Sequence, residues 1–342
     1  TGSLTPTGQN PPWAHWGPTR VASDKGGYRL YVINQGSKDI NAYYIYRNNG
    51  YLVNVPGSPF KIGQTPTDVV VHPSGKYVFV TAQSHYVYAF HVQSNGSLAP
   101  VPGSPFSSVS EPEALAVDPQ GKFLYVSSYP ATSTAGTSEV DAYSISSTDG
   151  ALTPVPGSPY IEPNSSSCAN GAWDVAVHPS GNFLVLPNLC EGIVVYRISR
   201  STGTLSLVKG SPFPVPYPPF PTVQSVAMDP LGQYFWVSTD YCHSGCSQST
   251  DTWKFNTTTG VPTYLESGLN GCGLLTRSDP SGKFLYAIAD VNGSGCAGSV
   301  VKPAVLGLSV NRTNGALTNI PGSPFPSPNS EWFLSDGLAV TP

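Results

Sequence analysis

The stretch Ala114-Leu-Ala-Val-Asp-Pro-Gln-Gly-Lys-Phe-Leu-Tyr-Val126 decides the fold, because it joins two apolar runs by a tight turn. Proline presets φ and glycine accepts a positive φ, so the Pro-x-Gly turn predicts a β-hairpin. Similar units recur at roughly 50-residue intervals, at Arg20–Val32, Asp68–Val80, Asp174–Leu186, Ser225–Val237 and Leu275–Ala287. The copy at Arg20–Val32 is degenerate. Repetition at this interval predicts a repeat architecture.

A second motif, Val-Pro-Gly-Ser-Pro-Phe, follows most of these hairpins. It occurs, with variants, at Val55–Phe60, Val101–Phe106, Val155–Tyr160, Val208–Phe213 and Ile320–Phe325. Between hairpin and motif lie an alternating segment, such as Asn41–Tyr46, and a Gly-x-Leu-x-x-Val segment, such as Gly96–Val101. Each repeat thus predicts four short strands, A to D, which is typical of a β-propeller blade. Complete blades are predicted to begin near residues 18, 66, 112, 172, 223 and 273.

The two ends of the chain carry further strand patterns. Asp336–Pro342 matches a strand A, Thr1–Pro6 matches an isolated strand D, and strands B and C of that blade are absent. We therefore expect an all-β propeller of four-stranded antiparallel blades, with six complete blades and an incomplete seventh from segments 1–17 and 331–342, in a single domain 1–342. An exposed strand edge recruits strands from other chains, so we expect the ends to join subunits. The competing outcome is a closed monomer with both ends packed on their own ring.

Composition excludes several classes of protein. With 35 glycines and 35 prolines, long helices are excluded. Disorder fits poorly with 39% hydrophobic residues, and no apolar run reaches the ~18 residues of a membrane helix, so we expect no membrane insertion. A net charge of −4 without a basic cluster argues against nucleic acid. The start at Thr1 and six cysteines in loop sequence predict an extracellular or cell-surface location.

The hairpin units, the Tyr-Val-x-Asn at Tyr31–Asn34 and the Gly-x-Leu-x-x-Val-x-Gly-Ser-Pro-Phe strands resemble the lactonase family of seven-bladed propellers. They are also similar to the Tyr-Val-Thr-Asn repeat propellers of microbial surface-layer proteins. The lactonase resemblance implies an Arg-His pair at the start of one strand A and a Glu after the following strand B. Here the start of strand A reads Arg20, Asp68, Ala114, Asp174, Ser225, Leu275 and Gly337, and none is histidine. The sequence therefore predicts no catalytic residue from the family pattern.

Ligands of propellers bind where strand A begins, around the central tunnel. The charged residues there, Arg20, Asp68, Glu113 and Asp174, define what we call the tunnel mouth, and they are the candidate ligand-binding residues. The alternative is a set of isolated, solvated charges. His72 and His178 instead fall in the A–B turn, where other repeats carry aspartate, which indicates turn capping.

No metal or cofactor is predicted. Asp290–Gly295 resembles the start of a calcium loop, but Val301 stands where the closing acidic ligand would be. Cys242-His-Ser-Gly-Cys246 could form half a zinc site, yet no second pair has suitable spacing. Aligning the repeats predicts three disulfides: Cys168–Cys190, Cys242–Cys246 and Cys272–Cys296.

Two functional hypotheses follow. The first is a secreted, non-catalytic structural protein that assembles with itself into a filament or surface layer, through its terminal segments and the Pro/aromatic loops Asn10–Trp16 and Phe213–Pro221. The second is a secreted lactonase-like hydrolase, or a sugar-acid-binding propeller, that uses the tunnel mouth. A convergent His/Arg/Glu cluster in the folded protein would favour the second.

Overall fold

The computed structural model describes residues 1–9, 12, 14–108, 111–129, 138–163, 171–188, 192–216, 222–242, 246–270, 272–290 and 303–326. All regular structure in these residues is β-strand, arranged in six antiparallel sheets of four or five strands. The prediction of an all-β propeller with four-stranded antiparallel blades is therefore confirmed. Within the same residues, no helix is long and apolar enough to span a bilayer.

The first three blades have the same plan. Blade one contains β1 (Pro18–Ser23), β2 (Arg29–Asn34), β3 (Asp39–Tyr46), β4 (Tyr51–Asn54) and β5 (Phe60–Lys61). Blade two contains β6 (Pro66–Val71), β7 (Tyr77–Ala82), β8 (Tyr86–Val92), β9 (Leu98–Pro100) and β10 (Phe106–Ser107). Blade three contains β11 (Glu111–Val117), β12 (Phe123–Tyr129), β13 (Glu139–Ile145), β14 (Leu152–Pro154) and β15 (Tyr160–Ile161).

The last three blades vary this plan. Blade four contains β16 (Ala176–Val177), β17 (Phe183–Asn188), β18 (Gly192–Ile198) and β19 (Leu205–Leu207). Blade five contains β20 (Thr222–Met228), β21 (Tyr234–Cys242), β22 (Cys246–Phe255) and β23 (Pro262–Asn270). Blade six contains β24 (Cys272–Ser278), β25 (Phe284–Asp290), β26 (Pro303–Val310), β27 (Leu317–Asn319) and β28 (Phe325–Pro326).

The sheets stand side by side around a central channel. The innermost strands contact one another in the order β1, β6, β11, β16, β20 and β24. Apolar side chains fill the spaces between neighbouring sheets; for example, Tyr77 and Phe79 of blade two pack with Leu124 and Val126 of blade three. The core is therefore a series of layers between blades, because each sheet has two faces to cover.

The Val-Pro-Gly-Ser-Pro-Phe motif attaches the chain to strand C after strand D. In blade two, the N–H of Val101 donates to the carbonyl of Ala89 (2.9 Å), and the Ser104 hydroxyl accepts the N–H of Ala89 (3.0 Å). The motif serine makes the same bond in four other blades, through Ser58, Ser158, Ser211 and Ser323. Both backbone groups of one strand C residue are thus satisfied, and the motif phenylalanine can begin a short fifth strand.

Replacing Ser104 by Ala should lower the free energy of unfolding by about 1–2 kcal/mol, because the N–H of fully buried Ala89 loses its acceptor. Urea denaturation followed by tryptophan fluorescence measures the change. Ser107→Ala is the matched control, since that serine is exposed three residues later. Equal stability of the two variants would contradict the role given to the motif serine.

The turn histidines join neighbouring blades. His178 Nε2 donates to the carbonyl of Gly232 (2.9 Å), and Nδ1 accepts the backbone N–H of Ser180 (3.1 Å). His72 forms the equivalent bond to Gly121 (2.8 Å). Because a backbone N–H can only donate, Nδ1 of His178 must be unprotonated and its ring neutral. Between blades five and six, Arg312 takes this role by donating to Asp229 (2.8 Å) and to the carbonyl of Gly282 (2.9 Å).

The stability that His178 contributes should fall as the pH decreases through about 6.5, the pKa of an unperturbed histidine. Burial lowers the pKa of His178 despite the Gly232 carbonyl and Asp229, so the unfolded chain binds a proton that the folded ring excludes. His178→Asn removes this titration, so between pH 7.5 and 5.5 the free energy of unfolding of the wild type should fall relative to that of the variant. Parallel pH profiles for the two proteins, from denaturation at each pH, would contradict the assignment.

The N-terminal segment lies against blades six and one. Gly2 (φ +71°) packs on the ring of Phe284, and the Tyr286 hydroxyl donates to the Gly2 carbonyl (2.9 Å). Between blades three and four, Tyr125 donates in the same way to Gly203 (3.0 Å), a turn glycine between strands C and D. Gly2 thus occupies the place that the turn glycine of a following blade would take.

The incomplete seventh blade, however, does not form in the described residues. Residues 1–9 pair with no strand, and Leu4 is 41% exposed, whereas Leu98 in the equivalent position of a complete blade is 8% exposed. The Gln9 side chain instead bonds both backbone groups of Leu52, on blade one. Segment 331–342 lies outside the described residues, and contacts between subunits through the ends stay a prediction.

Candidate functional site

The innermost strands of all six blades surround a cavity of about 330 Å³. Its charged lining residues are Arg20, Asp68, Asp174 and Arg277. Three of these were expected at the tunnel mouth from the sequence, while Arg277 was not among the candidates. The cavity contains as many arginines as aspartates, so its chemistry depends on how each charge is paired.

Asp68 and Asp174 each connect two blades. Asp174 Oδ1 accepts the N–H of Val175 (2.9 Å), and Oδ2 accepts the N–H of Val226 on the next blade (3.0 Å). Asp68 bonds the N–H groups of Val69 (2.8 Å) and, on the next blade, Leu115 (3.1 Å) in the same way. Both oxygens of each carboxyl group are therefore engaged with backbone, which is a structural use of these residues.

The two aspartates differ in their charged neighbours. Arg277 Nη1 lies 3.6 Å from Asp174 Oδ2. Burial raises the pKa of Asp68 to about 6, with the Arg20 charge opposing the rise and Asp174 adding to it. Asp68 therefore carries a proton for part of the time near neutral pH, although it is bonded to two backbone amides.

Glu113 lies at the β-bulge of β11, where the register shifts between Pro112 and Ala114. A bulge re-aims the side chain of the extra residue. Burial raises the pKa of Glu113 to about 7; Arg20 opposes this, and the negative charges of Glu111 and Asp68 add to it. A half-buried carboxyl with this pKa can accept and return a proton near neutral pH.

His85 and Glu111 complete the cluster, and sequence reasoning missed both. The N–H of Ser84 donates to Glu111 Oε2 (3.2 Å), and His85 Nε2 lies 4.0 Å from Glu111 Oε1. Ser84 (φ +69°) and His85 (φ +68°) both adopt the left-handed backbone conformation in the β7–β8 turn. This conformation costs about 1–2 kcal/mol per non-glycine residue and often marks a functional position. The signal in the sequence was Ser-His in a hairpin turn that favours glycine or asparagine.

The folded protein thus brings together a histidine, an arginine and two glutamates from three blades. Arg20 comes from blade one, His85 from blade two, and Glu111 and Glu113 from blade three. Arg20 can stabilise negative charge on a bound oxygen, and Glu113 can exchange a proton. Such a set is suited to hydrolysis of an ester-like bond.

The described residues contain no group of three or more His, Cys, Asp or Glu side chains that could hold a metal ion. The calcium-like segment after Asp290 lies outside these residues, as do Cys168, Cys190 and Cys296. For Cys242, Cys246 and Cys272 only the backbone is described, and the β21–β22 register pairs Cys242 with Cys246. The three disulfides therefore stay predictions.

Comparison with known proteins gives structural matches only: no family model matches the chain, and no curated protein matches its sequence. A candidate 6-phosphogluconolactonase from Bacteroides fragilis superposes with a TM-score of 0.68 at 17% identity, over 89% of this chain and 83% of that one. The periplasmic gluconolactonase of Pseudomonas aeruginosa gives 0.67 at 16% identity, over 91% and 86%. Identities this low establish the fold alone.

These matches correct the first functional hypothesis. A non-catalytic structural protein that assembles into a filament or surface layer is the wrong interpretation, because the similar structures are lactonase-like propellers. That hypothesis relied on the absence of an Arg-His pair at the start of strand A. In the folded protein, His85 comes from a hairpin turn instead. The similarity to surface-layer repeats has no support among these structures. The chain folds as a β-propeller similar to these lactonase structures, with six blades in the described residues, not the seven that the family resemblance implied.

Proposed function

We propose that this protein hydrolyses a sugar-acid lactone at the tunnel mouth. The observation that carries the proposal is that Glu113, whose pKa is raised to about 7, interacts electrostatically both with Arg20 and with Glu111, the partner of His85. Structures of similar fold include proteins described as gluconolactonases, which supports this class of substrate. The extracellular or cell-surface location expected from the composition stays part of the proposal.

In the proposed reaction, ionised Glu113 takes a proton from a water molecule while the oxygen of that water adds to the carbonyl carbon of the lactone. The Arg20 guanidinium stabilises the charge that develops on the carbonyl oxygen. The ring C–O bond then breaks, and the leaving alkoxide takes a proton from Glu113, which yields the open sugar acid. Burial is the main cause of the raised pKa of Glu113, and the negative charge of Glu111, which the Ser84 N–H positions next to His85, adds to the rise.

The pH dependence tests the role of Glu113. A general base must be ionised, so kcat/KM for glucono-1,5-lactone should rise with pH through about 7, the raised pKa of Glu113. Glu113→Gln should lower kcat/KM by about 10²–10⁴-fold and remove this dependence. Proton release in weakly buffered solution, corrected for spontaneous hydrolysis, measures both. A variant as fast as the wild type, or a wild type no faster than water, would refute the proposal.

Arg20 makes a second, independent test. Arg20→Gln should lower kcat/KM by about 10²–10³-fold, as loss of an oxyanion donor does. The remaining activity should rise at a higher pH than in the wild type, because Arg20 opposes the increase in the pKa of Glu113. Arg200→Gln is the matched control, since Arg200 donates to the Ser180 carbonyl on the exposed surface of blade four. An unshifted pH profile for Arg20→Gln would contradict the assigned contact.

A further inference from the structure

Blade one carries exposed tyrosines that the other blades lack. Tyr28, Tyr46 and Tyr51 are 55%, 54% and 37% exposed, at the end of the blade opposite the tunnel mouth. A shared backbone hydrogen bond shows which positions correspond between blades. The Tyr28 carbonyl accepts the N–H of Ile45, just as the Lys122 carbonyl accepts the N–H of Ile145 in blade three. None of the five other blades has an aromatic residue at any of the three positions.

The tyrosines border a shallow groove. Tyr46 and Tyr51 are direct partners in the β3–β4 register, and Tyr28, Arg29, Tyr44 and Tyr46 line a depression of about 460 Å³. The volume lies within the range of small-ligand sites, which is about 300–1,000 Å³. These side chains therefore form a concave aromatic surface, which we call the tyrosine groove.

Packing explains only one of its aromatic residues. The Tyr44 hydroxyl donates to the Asn95 carbonyl (2.6 Å), so this ring supports the contact with blade two. Tyr28 and Tyr46 remain more than half exposed, so their rings contribute little to the core. In blade three, Ser146 holds the place of Tyr46, and its hydroxyl bonds Thr148 in the same turn. Blade one has an exposed ring in place of this one hydroxyl bond, and that ring surface is available to a ligand.

The charge of the groove is positive. The Arg47 guanidinium lies 5.2 Å from the centroid of the Tyr28 ring, and Arg29 lies 6.0 Å from that of Tyr44. The carboxyl group at this end is that of Asp24, which accepts the N–H groups of Tyr28 (2.7 Å) and Arg29 (3.1 Å). Asp24 Oδ1 is therefore directed to the backbone, and Asp24 Oδ2 lies 3.8 Å from Arg29 Nη1. One carboxylate beside two guanidinium groups leaves the surface with a net positive charge.

We infer that the tyrosine groove binds an acidic oligosaccharide. A pyranose ring has apolar C–H faces and a rim of hydroxyl groups, which suits rings that combine an apolar face with a polar hydroxyl. The sugar carboxylates match the guanidinium groups of Arg29 and Arg47. This site is separate from the tunnel mouth and does not depend on the proposed lactone hydrolysis.

Binding of a hexamer of α-1,4-linked galacturonate, measured by calorimetry in low salt, tests the inference, with cellohexaose as the neutral probe. The triple variant Tyr28→Asn, Tyr46→Ser, Tyr51→Ala carries residues found at these positions in blades four and three, Asn182, Ser146 and Ala151, so the fold should tolerate it. We expect the wild type to bind the acidic hexamer and the triple variant to lose at least tenfold in affinity. Arg47→Gln should lose affinity for the acidic hexamer, and Glu113→Gln should bind as the wild type does.

Four outcomes would overturn the inference. The wild type could fail to bind the acidic hexamer, or the triple variant could bind it equally well. Equal affinity for cellohexaose would remove the role of the arginines. A concentration-dependent dimer that the triple variant abolishes would assign the groove to a second copy of the chain instead.

Discussion

The hydrogen bonds that cross from one blade to the next are the constraint on which the rest of the structure depends. Apolar packing between two sheets is not directional, so it does not by itself fix how one sheet is placed on its neighbour. Side chains bonded to backbone do fix it: Asp68 and Asp174 at the mouth end, His178 and Arg312 at the turn end. Blades two and three, and blades four and five, are thereby joined at both ends of the channel.

This constraint determines where chemistry can take place. The strand A aspartates are occupied with the amides of the next blade, so a reactive group has to come from a position outside the regular ladder. Glu113 comes from a β-bulge and His85 from a hairpin turn. Burial, Glu111 and Asp68 raise the pKa of Glu113, and the positive charge of Arg20 opposes all three. Convergence, rather than a raised pKa, identifies the site: Glu162 also has its pKa raised to about 7 by burial, yet its hydrogen-bond partner is Asn188.

Much of the fold could be predicted from the sequence, because its determinants are local. The Pro-x-Gly turn and the Gly-x-Leu-x-x-Val pattern act within a few residues, and they recur often enough to predict six blades. The sequence also predicted Arg20, Asp68, Glu113 and Asp174 as ligand-binding residues; the first two and Asp174 line the central cavity, and their role in binding stays a prediction. It could not separate their roles, because the partner of Asp174, Val226, lies 52 residues away, and the pKa of Glu113 depends on burial in the assembled ring. His85 was missed because its backbone conformation, not a spacing, marks it.

The contact between Tyr286 and Gly2 has a consequence for the order in which the chain folds. It joins residues 284 positions apart, whereas the equivalent bond from Tyr125 to Gly203 spans 78. A chain made from its N-terminus can assemble blades one to five by such shorter steps, since loop closure costs more as the separation grows. The segment around Gly2 must therefore wait for blade six before it finds its place, and closure of the ring is a late event.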